Sequence, residues 1–332
     1  MAAPAASAYD SGTPRAGDPL AGHPWFVDTE RGAWWVALRA DPVAAAPLRL
    51  AADNPMGKTF GSFNPDPQAG VSSYVARALR SQPGSIPFIN LARIEGQSCP
   101  YPGTSSTSST SSTSSTFSEA AIDGWVRGFS AGIGNDRVMV IVETDKLTTI
   151  GCLPRRARAR RYRELSYEVR LMHSNNPNAI VYIDAGSEDW GKSAATIAAR
   201  LRSADVAQAQ GFSLGTSHHD WTYKEVGFGR HISRLLRGKH FVVNTTENEW
   251  GPKAHGASWY AASYHKGCVP PGEGLGIVPT VRTPDPRLDA FVWSGTPGFE
   301  TGDCLGYGAG APYAFSLPLA VSLVAHANPP LG

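Results

Sequence analysis

The chain has 332 residues, 42% of them hydrophobic and 17% charged, so it is long and apolar enough to bury a substantial core, which excludes a wholly disordered protein. Thirty Lys and Arg against 28 Asp and Glu leave a formal charge of +2, which lacks the field of a nucleic-acid or anionic-membrane binder and points to a neutral partner. Nine Trp, 11 Tyr and 12 Phe beside 35 Gly and 26 Pro put many aromatic surfaces on loop-rich scaffolding, which suits sugar rings and an ordinary core alike.

Residues 1–20 read as a flexible leader rich in Ala, Gly and Pro, with no basic start followed by an apolar core, so no intact secretory signal is visible. Order is expected from Pro24-Trp25-Phe26-Val27, with residues 21–332 forming one catalytic domain. Short apolar runs follow at Ile86 to Leu91, Val138 to Val142, Ile180 to Ile183, Gly211 to Leu214, His240 to Asn244 and Ala290 to Trp293, each the pattern of a buried parallel strand. None approaches the roughly 18 to 20 apolar residues of a membrane span, so no membrane partner is expected. Helical patterns lie between them: Val71 to Arg80, Ser118 to Ile133, Arg155 to Met172, Ser193 to Ala204, Trp221 to Leu236 and Leu317 to Ala327. The repeated alternation of strand and helix predicts a parallel α/β barrel, with its chemistry where strands run into loops.

Three such junctions carry carboxylates: Glu143-Thr144-Asp145, Asp184-Ala185-Gly186, and Glu300 with Asp303. Any one of these can be a helix cap or turn former, but three in register point to a site. The Thr-Ser-Ser repeat of residues 104–116 reads as a surface loop, and the basic run Arg155 to Arg161 as a solvated helix face. Four cysteines, Cys99, Cys152, Cys268 and Cys304, with no CxxC pair or Cys/His cluster, fit two disulfides and an oxidising, extracellular setting better than a metal site.

The junctions resemble the cellulase-type glycoside hydrolase family 6, which holds endoglucanases and cellobiohydrolases. The likeness is carried by Ile122-Asp123-Gly124-Trp125, the strand Val140-Ile141-Val142 into Glu143-Thr144-Asp145, Tyr182-Ile183-Asp184-Ala185-Gly186 with Trp190, and Gly238-Lys239-His240-Phe241-Val242. It continues through Cys268-Val269-Pro270-Pro271-Gly272-Glu273-Gly274-Leu275-Gly276 and Asp289-Ala290-Phe291-Val292-Trp293 to Cys304, so that it covers residues 19–328. It implies a distorted, TIM-like parallel (β/α) barrel with a cleft or tunnel at the C-terminal ends of the strands. It also pairs Cys99 with Cys152 and Cys268 with Cys304.

Glycosidic cleavage needs one group to protonate the leaving oxygen and another to deliver water, and the resemblance implies inversion of the anomeric centre. Asp145 matches the family's general acid, with Thr144 in place of a proline, and Asp184 matches an active-site carboxylate. The family's proposed base, an Asp in Lys-Pro-Gly-Glu-x-Asp-Gly, falls here on Thr301, which cannot accept the water proton at neutral pH, so either Glu300 or Asp303 substitutes, or water is activated indirectly, or activity is lost. Ile89 replaces a tyrosine, and Glu95 is the sole carboxylate between Arg93 and Cys99. Phe60 or Phe63 stands where the family has a sugar-stacking Trp.

Trp190, which matches a sugar-binding Trp of the family, is expected to grip substrate together with His218, Glu247, Asn248, Trp250 and Glu273. His218 and His219 are adjacent and complete no metal site, and no cofactor is expected. The expected protein is a secreted, monomeric, inverting hydrolase of β-1,4-glucan or a related polysaccharide. Loss of the base leaves a non-catalytic carbohydrate-binding protein as the alternative.

Overall fold

The computed structural model describes residues 17–94, 99, 118–218, 220–248, 269, 272–300 and 314–327. Seven parallel strands lie side by side in chain order: β1 (Lys58–Gly61), β2 (Phe88–Ala92), β3 (Met139–Val142), β4 (Ile180–Asp184), β5 (Gly211–Leu214), β6 (His240–Asn244) and β7 (Leu288–Val292). The sheet curls until its two ends meet, where the Gly57 amide donates to the Trp293 carbonyl at 2.9 Å and Asn90 Nδ2 donates to the Ser294 carbonyl at 2.6 Å. Among the described residues the two ends of the sheet thus meet in a seam, with no eighth strand between them.

Both faces of β2 to β7 are buried almost throughout, which is why these strands read as apolar runs, whereas β1 begins on the exposed Lys58. Phe88, Met139, Ile141, Ile180, Tyr182, Val242, Ala290 and Val292 form one cluster inside the barrel, capped from below by Leu20. Their neighbours Ile89, Leu91, Val140, Val142, Ile183, Phe212, Phe241 and Phe291 face outward onto the helices. Leu20 and Asp18 are buried, so the packed structure starts earlier than the expected leader boundary at residue 20.

The helices are α1 (Ala33–Ala40), α2 (Pro67–Ser81), α3 (Glu119–Ile133), α4 (Arg155–Asn175), α5 (Ala194–Ser203), α6 (Thr222–Leu235) and α7 (Leu317–Ala325). Asp66, Ser118, Ser193 and Ser316 cap α2, α3, α5 and α7 by accepting a backbone N–H three residues on. Capping by Asp66 with Pro67 in the first turn starts α2 four residues before the expected Val71. Helices α1 and α7 pack across the seam through Trp34, Leu38, Trp293, Leu319 and Leu323, and Trp34 Nε1 donates to the Pro297 carbonyl at 2.8 Å. No helix among the described residues is long and apolar enough to cross a membrane.

The basic start of α4 departs from its expected role. Arg155, Arg156 and Arg158 are exposed, but Arg161 is only 3% exposed and lies among Glu143, Glu164 and Glu168. A solvated face is therefore correct for most of the run and wrong for its last residue.

Helix α3 carries Gly124, Gly128 and Gly132 at four-residue spacing, and the last two let α2 approach closely. A Cβ on Gly132 would lie 2.8 Å from the Gln68 carbonyl and 2.8 Å from Val71 Cβ, whereas one on Gly124 would meet only an Arg127 guanidinium at 3.6 Å. Thermal denaturation should show Gly132→Ala destabilised by about 1–3 kcal/mol. Gly124→Ala should be stabilised by about 0.5–1 kcal/mol through helix propensity.

Candidate active site

Strands β3 and β4 pair with Val142 opposite Ile183, so the segments that leave them emerge together at the C-terminal end of the barrel. Asp184, the last residue of β4, is fully buried. Its Oδ1 accepts the Asp145 amide at 2.9 Å and the Gly186 amide at 3.1 Å, and Ser213 Oγ donates to its Oδ2 at 3.4 Å. Burial, followed by the nearby Asp145 carboxylate, pushes Asp184 up to about 7. Gly186 has φ +79°, and a Cβ there would come within 2.5 Å of Thr148 Cγ2 and 3.1 Å of the Trp190 ring, so the turn below Trp190 requires glycine.

The β3 exit is unusual in placing two acidic residues in the left-handed region, Glu143 at φ +58° and Asp145 at φ +67°. Side chains from neighbouring elements hold this turn. Glu143 Oε1 accepts the Arg93 and Ile94 amides at 2.6 and 2.9 Å, and the Asp145 carbonyl accepts the hydroxyls of Thr148 and Thr149 at 3.0 and 2.7 Å. Ser217 Oγ donates to Asp145 Oδ1 at 2.6 Å. Asp145 is half-buried, so its carboxyl reaches the barrel mouth while Asp184 stays beneath it.

A second acidic group adjoins this pair. His218 Nε2 contacts Asp189 Oδ2 at 2.7 Å and its ring meets Trp190 edge-on at 5.4 Å. The Ser187 hydroxyl lies within hydrogen-bond distance of both the Asp189 and the Glu225 carboxyls, with one proton to share between them. Burial and then Asp189 lift Asp220 to about 6, and burial and then Asp220 lift Glu225 well above the usual carboxylate range.

Of the residues singled out in the sequence, Asp145 and Asp184 are brought together. Trp190 and His218 are 5% and 3% exposed and pack on each other, so the ligand faces expected of them are turned inward. Phe60 is a core residue among Tyr74 and Phe129, on the helix side of β1, because a four-residue strand alternates its faces and residue 60 points outward. Phe63, in the loop after β1, is the exposed aromatic there. Asn248 is buried and its Nδ2 donates to Thr222 Oγ1 and to the Asn244 carbonyl, both at 3.1 Å. Glu273 is buried as well, while Glu247 is half-buried and accepts the Gly298 amide at 3.1 Å. Glu95, His219, Trp250, Thr301, Asp303, Cys268, Cys304 and the side chain of Glu300 lie outside the described residues.

Sequence reasoning missed Ser217, Asp189, Asp220 and Glu225. The run Ser187-Glu188-Asp189-Trp190 after β4 was the available signal, since an acidic pair beside a Trp at a barrel junction is a recognisable pattern. Cys99 and Cys152 form a disulfide with Cα atoms 5.6 Å apart, which ties the segment after β2 to the segment after β3.

A half-exposed carboxyl held over a buried carboxyl of raised proton affinity, at the C-terminal end of a parallel barrel, fits the glycoside-hydrolase class. The chain belongs to the glycosyl hydrolases family 6, whose family model matches residues 36–313. It is 28% identical over 314 residues to endoglucanase A of Thermobispora bispora, which covers 92% of this chain and 63% of that relative, so the chain spans somewhat under two thirds of that protein. It is 30% identical over 296 residues to endoglucanase 1 of Streptomyces halstedii, covering 88% and 84% of the two chains. The solved endoglucanase Cel6 from Mycobacterium tuberculosis, in complex with methyl-cellobiosyl-4-deoxy-4-thio-β-D-cellobioside, superposes with a TM-score of 0.78 at 32% identity, covering 93% of this chain and 99% of that one.

The Asp184 carboxyl keeps its proton to about pH 7 in the folded chain, against 3.8 for an ordinary aspartate, so folding stability falls as pH rises through that window. In Asp184→Asn the amide oxygen still accepts the two backbone N–H groups and no charge is buried. Its melting temperature relative to wild type should therefore climb by several degrees from pH 4 to pH 8, and parallel melting curves would exclude burial of charge as the cause. Replacing both Cys99 and Cys152 by Ser opens a link between residues 53 apart. Denaturant unfolding should then report a loss of about 2–4 kcal/mol.

Proposed function

We propose that this chain is an extracellular β-1,4-glucanase that inverts configuration, with Asp145 as the general acid. The observation that carries this reading is the held geometry of Asp145, whose main chain is tied to Asp184 and whose carboxyl is tied to Ser217 at the barrel mouth. The names of the family relatives, endoglucanases solved in one case in complex with a cellobiose-derived ligand, support the substrate class.

In the reaction, Asp145 gives its proton to the glycosidic oxygen as the bond to the anomeric carbon breaks. A water attacks that carbon from the opposite face and passes its proton to a base. Around Thr301, Glu300 or Asp303 accepts that proton, or the water is activated indirectly, while Glu95 tunes Asp145 or stabilises the oxocarbenium-like transition state. Asp184 acts from below by holding the acid's backbone. Phe63 offers the exposed ring for a sugar face near β1.

The test is product release from soluble β-glucans, xylan, mannan and chitosan by wild type, Asp145→Asn, Glu300→Gln, Asp303→Asn and Glu95→Gln. Asp145→Asn should lose at least 10²-fold in kcat on an unactivated glucan, in line with the usual size of acid catalysis. A smaller loss is expected on aryl glycosides with good leaving groups. Full activity of that variant on an unactivated polysaccharide would remove Asp145 from the role. Sugar binding without turnover in wild type would favour the non-catalytic binding protein instead.

A further inference from the structure

Beneath the Asp145 turn lies a buried charge cluster that the reaction itself does not use. Glu143 at the end of β3, and Glu164, Glu168 and Arg161 on α4, are all at most 3% exposed. Arg160 bonds Glu164 at 2.8 Å, and Arg161 faces the same carboxyl at 3.8 Å while donating to the Lys146 carbonyl at 3.1 Å. Two guanidinium groups thus stand against three carboxyls. Lys146 faces Glu143 from the loop above as the remaining cation.

Glu143 spends Oε1 on the Arg93 and Ile94 amides, and its Oε2 receives no protein donor. Neither oxygen of Glu168 receives one either, although the two carboxyl groups lie within hydrogen-bonding reach of each other. Two ionised carboxylates in contact and out of water repel strongly, and a single shared proton removes the repulsion and pairs Glu143 Oε2 with one oxygen of Glu168. Burial, reinforced for Glu168 by Glu143 and Glu164, raises both groups in the direction that keeps this proton.

We infer that Glu168 is a positioning residue for the acid turn: its carboxyl donates a hydrogen bond to Glu143, and Glu143 so held clamps the Arg93 and Ile94 amides and fixes the left-handed turn that presents Asp145. Glu168 touches no reacting atom, and the effect passes through Glu143 to a turn in which two residues sit in a conformation costly to L-amino acids. The catalytic arm of this inference rests on the proposed glucanase reading, and the structural arm does not.

The test uses the full chain with Glu168→Gln, whose amide N–H can replace the shared proton, and Glu168→Met, which offers no donor. Hydrogen exchange at Arg93 and Ile94 is followed from pH 6 to pH 9 together with kcat and KM. In wild type, protection of these two amides beyond the intrinsic pH effect should weaken as pH rises and the shared proton leaves. In Glu168→Gln it should stay level, with kcat within about twofold of wild type and its alkaline limb displaced upward. Glu168→Met should lose about tenfold in both protection and kcat, with KM changed less than twofold. Should that variant fail to fold, the pH dependence of exchange in Glu168→Gln decides alone. Wild-type pH dependence in Glu168→Gln, or wild-type protection and kcat in Glu168→Met, would overturn the inference. A wild type inactive on every glucan would sink the glucanase reading while exchange still tests the clamp.

Discussion

The hydrogen bond from the Asp145 amide to the Asp184 carboxyl is the link on which the site depends. It joins the ends of two adjacent strands by a contact between the backbone of one and the side chain of the other, so Asp145 is placed by strand pairing rather than by loop packing. A carboxyl buried at the end of a parallel strand needs donors, and here the backbone of the neighbouring exit supplies them. The same bond explains why Asp184 can be fully buried although its group is polar.

The arrangement has two layers. Deep in the barrel the inward residues are mostly apolar, with the Tyr182 hydroxyl donating to the buried Asp289 at 2.8 Å, while toward the strand ends they turn polar: Asn90, Asp184, Ser213 and Asn244, with Ser294 beyond β7. Asn244 accepts the Ser294 amide and donates to the Gly215 carbonyl, and Ser294 in turn bonds the Thr216 carbonyl, so the exits of β5, β6 and β7 are tied to one another as β3 is tied to β4. The mouth is therefore a connected polar lattice resting on a close-packed base, which is the pre-organisation that acid catalysis requires.

Much of this was legible in the sequence for a physical reason: strands buried on both faces must be apolar throughout, and six of the seven barrel strands announced themselves in this way. Strand β1 did not, because four residues including Lys58 and Gly61 carry too little pattern, and the same brevity hid that Phe60 faces the helices. Helix α1 was missed because it has eight residues and no side-chain cap. Asp145 and Asp184 were found because motif and strand end coincide. Burial of Trp190, His218 and Asn248 could not be read, since residue type says what a side chain can bind and only packing says what it already touches. Arg161 stood within an otherwise exposed basic run, and nothing local distinguished it.

The seam between β1 and β7 also bears on how wide the cleft is. In a fully hydrogen-bonded barrel, strand number and shear fix the radius. Here, among the described residues, the edge of the wall is spanned by the backbone contact of Gly57 to Trp293, backed by Trp34 and the apolar faces of α1 and α7. At that point the circumference is a matter of side-chain volume rather than ladder geometry. Exchange of large for small residues at the seam is thus a route by which barrels of this construction can vary the girth of the substrate channel while every strand keeps its partners.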